Sequence, residues 1–433
     1  MAKTKNTLHG LGLVALLVGA CGDDDTGATG GGATDSATGG PQTESNGDSG
    51  VSMTSTASQG DASASGSTTQ DTDDDDGSTG TSNGSDDSTT TDGDTTTGTD
   101  TTASASQGSA SAEGPETGNE LCEAPGNVLP CDADSNDPFH AMGLNCPYGE
   151  NEAIPIFNQS FTSIDPSAWR VASQLGSYID PVTNLPLWRA TEGEKFLIIS
   201  SSQLNQPSAS GILTHQYELS TPNGNPDFQQ LPAPMTAARG SNNGVGGTPF
   251  VNCDFIGDCS DSLQQQWTAG NGAANDLLWF QFETQVPGGT HGFTFDFAYF
   301  SVEFTNYIGT TFNDMFVVWS NSETYTGNLC FINDQPCTVT ALGVDPWNPQ
   351  QLYTESSIEL IDTGFYGWNG GGTGWFEAKG SAAPGESLQL TWAIFDMGDT
   401  VLDTAVIIDN FQWDCEGCTP SEVNPCGIRP IPT

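Results

Sequence analysis

The chain has 433 residues, with 55 acidic side chains against 8 Lys and Arg and a formal net charge of −47. That imbalance excludes a nucleic-acid binder, which must neutralise phosphates, and argues against docking on anionic lipid headgroups. Residues 22–118 hold no Phe, Trp, Tyr, Lys or Arg, so they have too little apolar surface to offset chain entropy. The fold must come from the roughly 315 residues that follow, enough for one large domain or two small ones.

Residues 1–20 read as a lipoprotein signal peptide. Lys3 and Lys5 form a basic start, and Leu8 to Val18 form an apolar run too short to span a bilayer. The run ends V-G-A-C at 18–21, which resembles a bacterial lipobox. The resemblance implies cleavage before Cys21 and acylation of its sulfur. Several acyl chains on one N-terminus anchor firmly, so the expected address is the cell envelope, on its outer-membrane or extracellular face.

Residues 21–118 form a disordered acidic tether of Ser, Thr, Gly and Asp. A flexible chain of this length spans roughly 50–60 Å, and like charges lengthen it. The D-D-D-D run at 73–76 lacks the glycine, the terminal glutamate and the helices of an EF-hand. G-T-S-N-G at 80–84 matches a nucleophile elbow only in letters, because no strand precedes it and no helix follows.

Eleven cysteines are present, and ten remain once Cys21 is set aside. In an exported chain these read as up to five disulfides. Cys122, Cys131 and Cys146 open the head, and Cys415, Cys418 and Cys426 close it, so these two groups are expected to exchange at least one bridge. Cys253–Cys259 and Cys330–Cys337 are expected to be local loop staples. C-x-x-C at 415–418 has no second copy and no βαβ surroundings, which disfavours zinc or redox use. Residues 119–150 are expected to form a Cys-rich cap on a single domain covering 151–433.

Strand signals dominate that domain. Short apolar or alternating runs predict strands at 196–200, 277–286, 293–300, 315–319, 337–342, 388–395 and 405–408. Turn-rich pieces at 286–290 and 368–375 separate some of them, and no long window has helical periodicity. The fold class expected is all-β, a jelly-roll-like β-sandwich with disulfide-stapled loops, its aromatic faces filling the space between two sheets.

Three segments, F-D-F-A-Y-F-S-V-E-F at 295–304, F-N-D-M-F-V-V-W at 312–319 and I-F-D-M-G-D-T-V-L-D-T-A-V-I-I-D-N-F at 394–411, carry a family likeness. Together with D-P-F-H-A-M-G-L-N-C at 137–146, they resemble the bacterial choice-of-anchor extracellular domains, most closely the L group. The resemblance covers roughly 137–414. It implies a β-rich domain displayed at the cell surface and no particular chemistry. Members often anchor at the C-terminus, whereas here the N-terminal lipid takes that role.

The candidate cofactor is calcium. Asp396, Asp399 and Asp403 sit on one inter-strand connection, and clustered carboxylates repel unless a cation or hydrogen bonds offset them. Hard oxygen ligands at such spacing suit calcium. Glu303, Asn313 and Asp314 could share a cation or accept backbone N–H groups in turns. Asp254, Asp258 and Asp261 around the Cys253–Cys259 loop offer a fainter version. His140, His215 and His291 are widely spaced and match no metalloprotease motif, and nothing selects a carboxyl pair for glycoside hydrolysis.

The expected function is therefore a non-enzymatic, surface-anchored binding or adhesion module, with a glycan or protein ligand and the membrane engaged only through lipid. The alternatives are a structural envelope protein without a specific ligand, and a glycan-active hydrolase on a jelly-roll scaffold. A binder should expose an aromatic or carboxylate patch, a structural protein large self-association surfaces, and a hydrolase a deep cleft with two carboxyls.

Overall fold

The computed structural model describes residues 121–126, 128–149, 151–240, 255–304, 306–332, 335–343, 352–418 and 426–431. Cys21, the 73–76 run, G-T-S-N-G, Cys253 and Asp254 lie outside them. The described residues belong to one unit.

That unit is an all-β sandwich of two antiparallel sheets. The first sheet runs β1 (Phe157–Thr162), β6 (Ala274–Gln285), β15 (Ser387–Met397), β8 (Met315–Asn321), β9 (Thr326–Asn328). The second runs β12 (Leu352–Thr354), β13 (Gly371–Thr373), β7 (Gly292–Ser301), β16 (Thr404–Asp414), β4 (Phe196–Ser200), β2 (Trp169–Ala172). On it, β14 (Phe376–Ser381) also pairs with β7 and carries β17 (Gly427–Pro430). The long strands alternate between sheets along the chain: β6 and β7, then β8, β14, β15 and β16. That crossing is the jelly-roll habit.

The alternation in sequence sets the layers. Phe293, Phe295, Phe297 and Tyr299 of β7 meet Phe280, Phe282, Leu390 and Trp392 of the first sheet between the layers. Trp392 is the hinge of this core, stacked on Phe280 at 5.0 Å and Phe282 at 4.9 Å and met edge-on by Phe295 at 5.9 Å. Such offset and T-shaped contacts exploit the ring quadrupoles.

Antiparallel sheets commonly leave one face to water, but here loops and a helix cover both outer faces. Loops bearing Trp188, Leu204, Leu213, Leu219, Leu360 and Phe365 cover Phe196, Ile198, Phe300 and Ile407 of the second sheet. Met235 and the helix α1 (Leu263–Ala269) cover Met315, Val317, Trp319 and Phe395 of the first. This explains why F-L-I-I-S and M-F-V-V-W read as unbroken apolar runs.

The Cys-rich segment does more than cap the fold. Phe139, Met142 and Leu144 enter the main core, and the Phe139 ring lies edge-on to Phe280 and Phe282, each at 6.0 Å. Cys131–Cys146 closes this segment, Cys418–Cys426 closes the last loop, and Cys122–Cys415 joins the two ends across 293 residues. Cys259 is disulfide-bonded, and Cys253, its expected partner, lies outside the described residues.

Three expectations need correction. Cys330 and Cys337 are free, buried thiols and not a staple. They flank a two-stranded ribbon, β10 (Phe331–Ile332) and β11 (Gln335–Pro336), where the Cys337 N–H donates to the Cys330 carbonyl at 3.1 Å. Both are fully screened from solvent, and the two thiols are hydrogen-bonded to one another. Residues 337–342 are not a strand: they lead into the helix α2 (Val339–Gly343), whose first turn is held by the Thr338 hydroxyl accepting the Ala341 N–H at 3.2 Å. An apolar run this short does not distinguish helix from strand. Within the turn-rich piece 368–375, Gly371 and Gly372 form a strand on β7. A Cβ there would meet the Phe304 ring at 2.4 Å and the Phe300 ring at 2.7 Å, so the aromatic neighbours require glycine.

Candidate functional site

Strand register gathers carboxyl groups at one end of the sandwich. Ser301 pairs with Thr404, so Glu303 just beyond β7 and Asp403 just before β16 share that end. Phe395 pairs with Met315, which brings Asp396 to Asp314. Asp396 also pairs with Asn275, which brings up Asp276. All five side chains are at most 1% exposed. Four of them were among the sequence candidates. Asp276 was missed, because an Asn-Asp pair opening an apolar strand carries no distinguishing signal.

The five differ in how they are satisfied. Asp314 accepts the Met397 N–H at 3.2 Å and the Thr404 hydroxyl at 2.9 Å, tying one sheet to the other. Glu303 accepts the Asp314 N–H at 3.2 Å. Asp396 and Asp403 accept no backbone N–H on either oxygen, and one oxygen of Asp276 is without a partner. The Ser201 hydroxyl accepts the Thr404 N–H at 3.0 Å and lies within reach of both the Thr404 carbonyl, at 3.4 Å, and the Asp396 carboxyl. The Asp396 carboxyl also faces those of Asp314 and Asp403.

Burial pushes every member upward, and the other carboxylates add to it. Glu303 is raised to about 9, Asp276 to about 8 and Asp403 to about 7, while Asp314 and Asp396 are raised well beyond the ordinary range. Among the described residues the ion pairs are Lys379–Asp414 and Arg429–Glu377, neither of them in this cluster.

Two other candidates sit at the margin of the cluster. Asp399 sits half-buried on the connecting turn, where its carboxyl accepts the Val401 N–H at 3.2 Å. Asn313 is a loop organiser, donating to the Thr310 carbonyl and accepting the Thr340 hydroxyl at 2.5 Å. Around Cys253–Cys259, Asp258 is already supplied with donors. Its oxygens accept N–H groups from Ser260, Ser262, Leu263 and Asn328 and hydroxyls from Ser260 and Ser262. Among the described residues no three His, Cys, Asp or Glu side chains already close into a metal shell.

A second feature lies on the surface. The loops at 215–219 and 362–368 run side by side: the His215 N–H donates to the Asp362 carbonyl at 2.7 Å, and the Leu219 N–H to the Gly364 carbonyl at 3.1 Å. They hold out Tyr217, Tyr366 and Trp368, exposed by 75%, 42% and 57%. The Glu218 carboxylate lies against Gly367, where a Cβ would meet it at 2.6 Å.

An open groove of about 670 Å³ is lined by Asn136, Trp169, Arg170, Ser173, Lys195 and Gln206 among others. Its cations are already engaged. Arg170 donates to the carbonyls of Pro166, Trp169, Leu204 and Asn205, and Lys195 to that of Ser135. Two of the candidate histidines are separately occupied, His140 by Ser135 and the Asn145 carbonyl, His215 by Asn205. No family model matches the chain, and no curated protein and no solved structure is significantly similar to it.

Proposed function

We propose that the chain is a surface-displayed lipoprotein, held by lipid on Cys21 at the end of the 22–118 tether, whose β-sandwich head binds carbohydrate. The observation that carries the reading is the trio Tyr217, Tyr366 and Trp368 on adjoining loops. Large aromatic side chains usually bury most of their area, and exposed ones gathered together mark an interaction site. Tyr and Trp present a flat apolar face and a polar edge, which suits the apolar face and hydroxyl rim of a sugar ring. Glu218 supplies an acceptor beside them. The choice-of-anchor resemblance and the disulfide-joined ends point the same way, toward a durable head working outside the cell.

Two measurements test this. Radiolabelled fatty acid should enter the natural protein and not Cys21→Ala, and equal labelling ends the lipoprotein reading. In gels containing soluble polysaccharides, the protein should be retarded by at least one of them. The triple variant Tyr217→Ala, Tyr366→Ala, Trp368→Ala should lose that retardation about tenfold or more, at 0.5–1.5 kcal/mol for each aromatic contact, with an unchanged melting temperature. Equal mobility of the two proteins in every gel overturns the carbohydrate reading.

A further inference from the structure

We propose that the buried carboxyl cluster at the end of the sandwich is a binding site for a hard divalent cation, calcium, with Asp396 and Asp403 as its principal ligands and Asp276 and Asp314 beside them. The inference rests on neither the lipid anchor nor the aromatic loops.

The argument begins with what the chain does elsewhere. Asp258 is as buried as Asp396, and six N–H and O–H donors surround it. At Asp396 and Asp403 the four carboxyl oxygens accept no backbone N–H, and the groups that reach them are the Ser201 hydroxyl and other carboxyls. A buried polar group is normally hydrogen-bonded, and a buried charge is paired or coordinates a metal. Among the described residues no ion pair reaches the cluster. The two ion pairs of the described residues lie on β14, β16 and β17, not there. What surrounds Asp396 is more carboxylate, from Asp314, Asp403 and Asp276.

The donor set selects the ion. Every candidate ligand is an oxygen, which favours calcium, magnesium or manganese over zinc or copper. Calcium takes six to eight oxygens in flexible geometry, whereas magnesium keeps several waters and binds few carboxylates. A dry group of four or more carboxyls fits the first requirement. The shell is not closed among the described residues, so binding must draw Asp396 and Asp403 inward. Asp399, half-buried on the turn that joins β15 to β16, adds its carboxyl to the field on Glu303 and Asp403.

The ion has a structural consequence. Asp314 and Asp396 belong to the first sheet, Glu303 and Asp403 to the second. A cation held among them clamps the two sheets at that end.

The test uses the full-length mature protein and calcium chloride as the probe. After dialysis against a chelator, calorimetric titration should give a site of about one equivalent with a dissociation constant of about 10⁻³ M or tighter, the range of extracellular modules. The melting temperature should rise with calcium, as a ligand specific to the folded state requires. The double variant Asp396→Asn, Asp403→Asn keeps the acidic tether and its diffuse binding, so the stoichiometric site and the melting shift should vanish from it while the tether's background persists. Should that variant not fold, the titration of the unmodified protein in the presence of excess magnesium decides. A saturable calcium site that survives magnesium supports the proposal. The proposal is overturned if the chelated protein shows no stoichiometric site and no calcium-dependent melting shift, or if the folded double variant keeps both.

Discussion

Single residues show how this chain handles burial of acid groups, and the outcome depends on donors more than on depth. Asp258 is surrounded by amides and hydroxyls, whereas Asp396 faces carboxyls. Glu192 is an intermediate case with a measurable signature. Burial, and then the nearby Asp132 carboxylate, raise it from 4.5 to about 7. Asp409 also faces it, accepting the Glu192 N–H at 3.1 Å and the Thr191 N–H at 2.6 Å. Between pH 4.5 and 7 the folded state therefore holds a proton that the unfolded chain has released, so Glu192 lowers stability as pH rises through that window. Glu192→Gln, neutral throughout, should match the natural protein in urea midpoint at pH 5 and exceed it at pH 8. The gain should be about 1 kcal/mol or less, because Glu192 is partly solvated and screened. An equal gain at both pH values would point to packing and not to charge.

At the level of elements, the head is closed by its ends. Cys122–Cys415 ties residues 293 apart, and the Lys379–Asp414 ion pair, almost wholly buried at the lysine, sits one residue from that bridge. Cross-linking a loop this long removes much of the unfolded chain's freedom. The paired substitution Cys122→Ala, Cys415→Ala should cost about 2–5 kcal/mol, read as a lowered urea midpoint. Removing Cys418–Cys426, which closes only eight residues, should cost less. If the short bridge proved the costlier of the two, loop length would not be the governing quantity. Elements also account for what the sequence concealed. The long strands were legible because period-two patterning survives burial: Phe293, Phe295, Phe297 and Tyr299 face one way in the sequence and in the fold. The two- and three-residue strands were not legible, since so few residues carry no period. Val339–Gly343 was misread because Val and Thr favour strands intrinsically, and the capping hydroxyl of Thr338 decided otherwise.

The whole molecule sets the face of each strand and the company of each carboxyl. Composition already separated a tether without aromatic residues from a folded head, and the cysteine grouping already anticipated a bridge between the head's two ends. Alternation on β6, β7 and β15 already required two sheets with aromatic residues between them, because one-sided burial of such faces has no other economical solution. Three-dimensional packing alone covered the outer faces, laid the loop of Tyr217 along the loop of Tyr366 and Trp368 from segments some 150 residues apart, and added Asp276 to the acid cluster. Patterning along a chain reports which way a side chain points, a local property. Which distant side chains it then meets depends on strand register and on sheet stacking, and those are settled only when the two layers close.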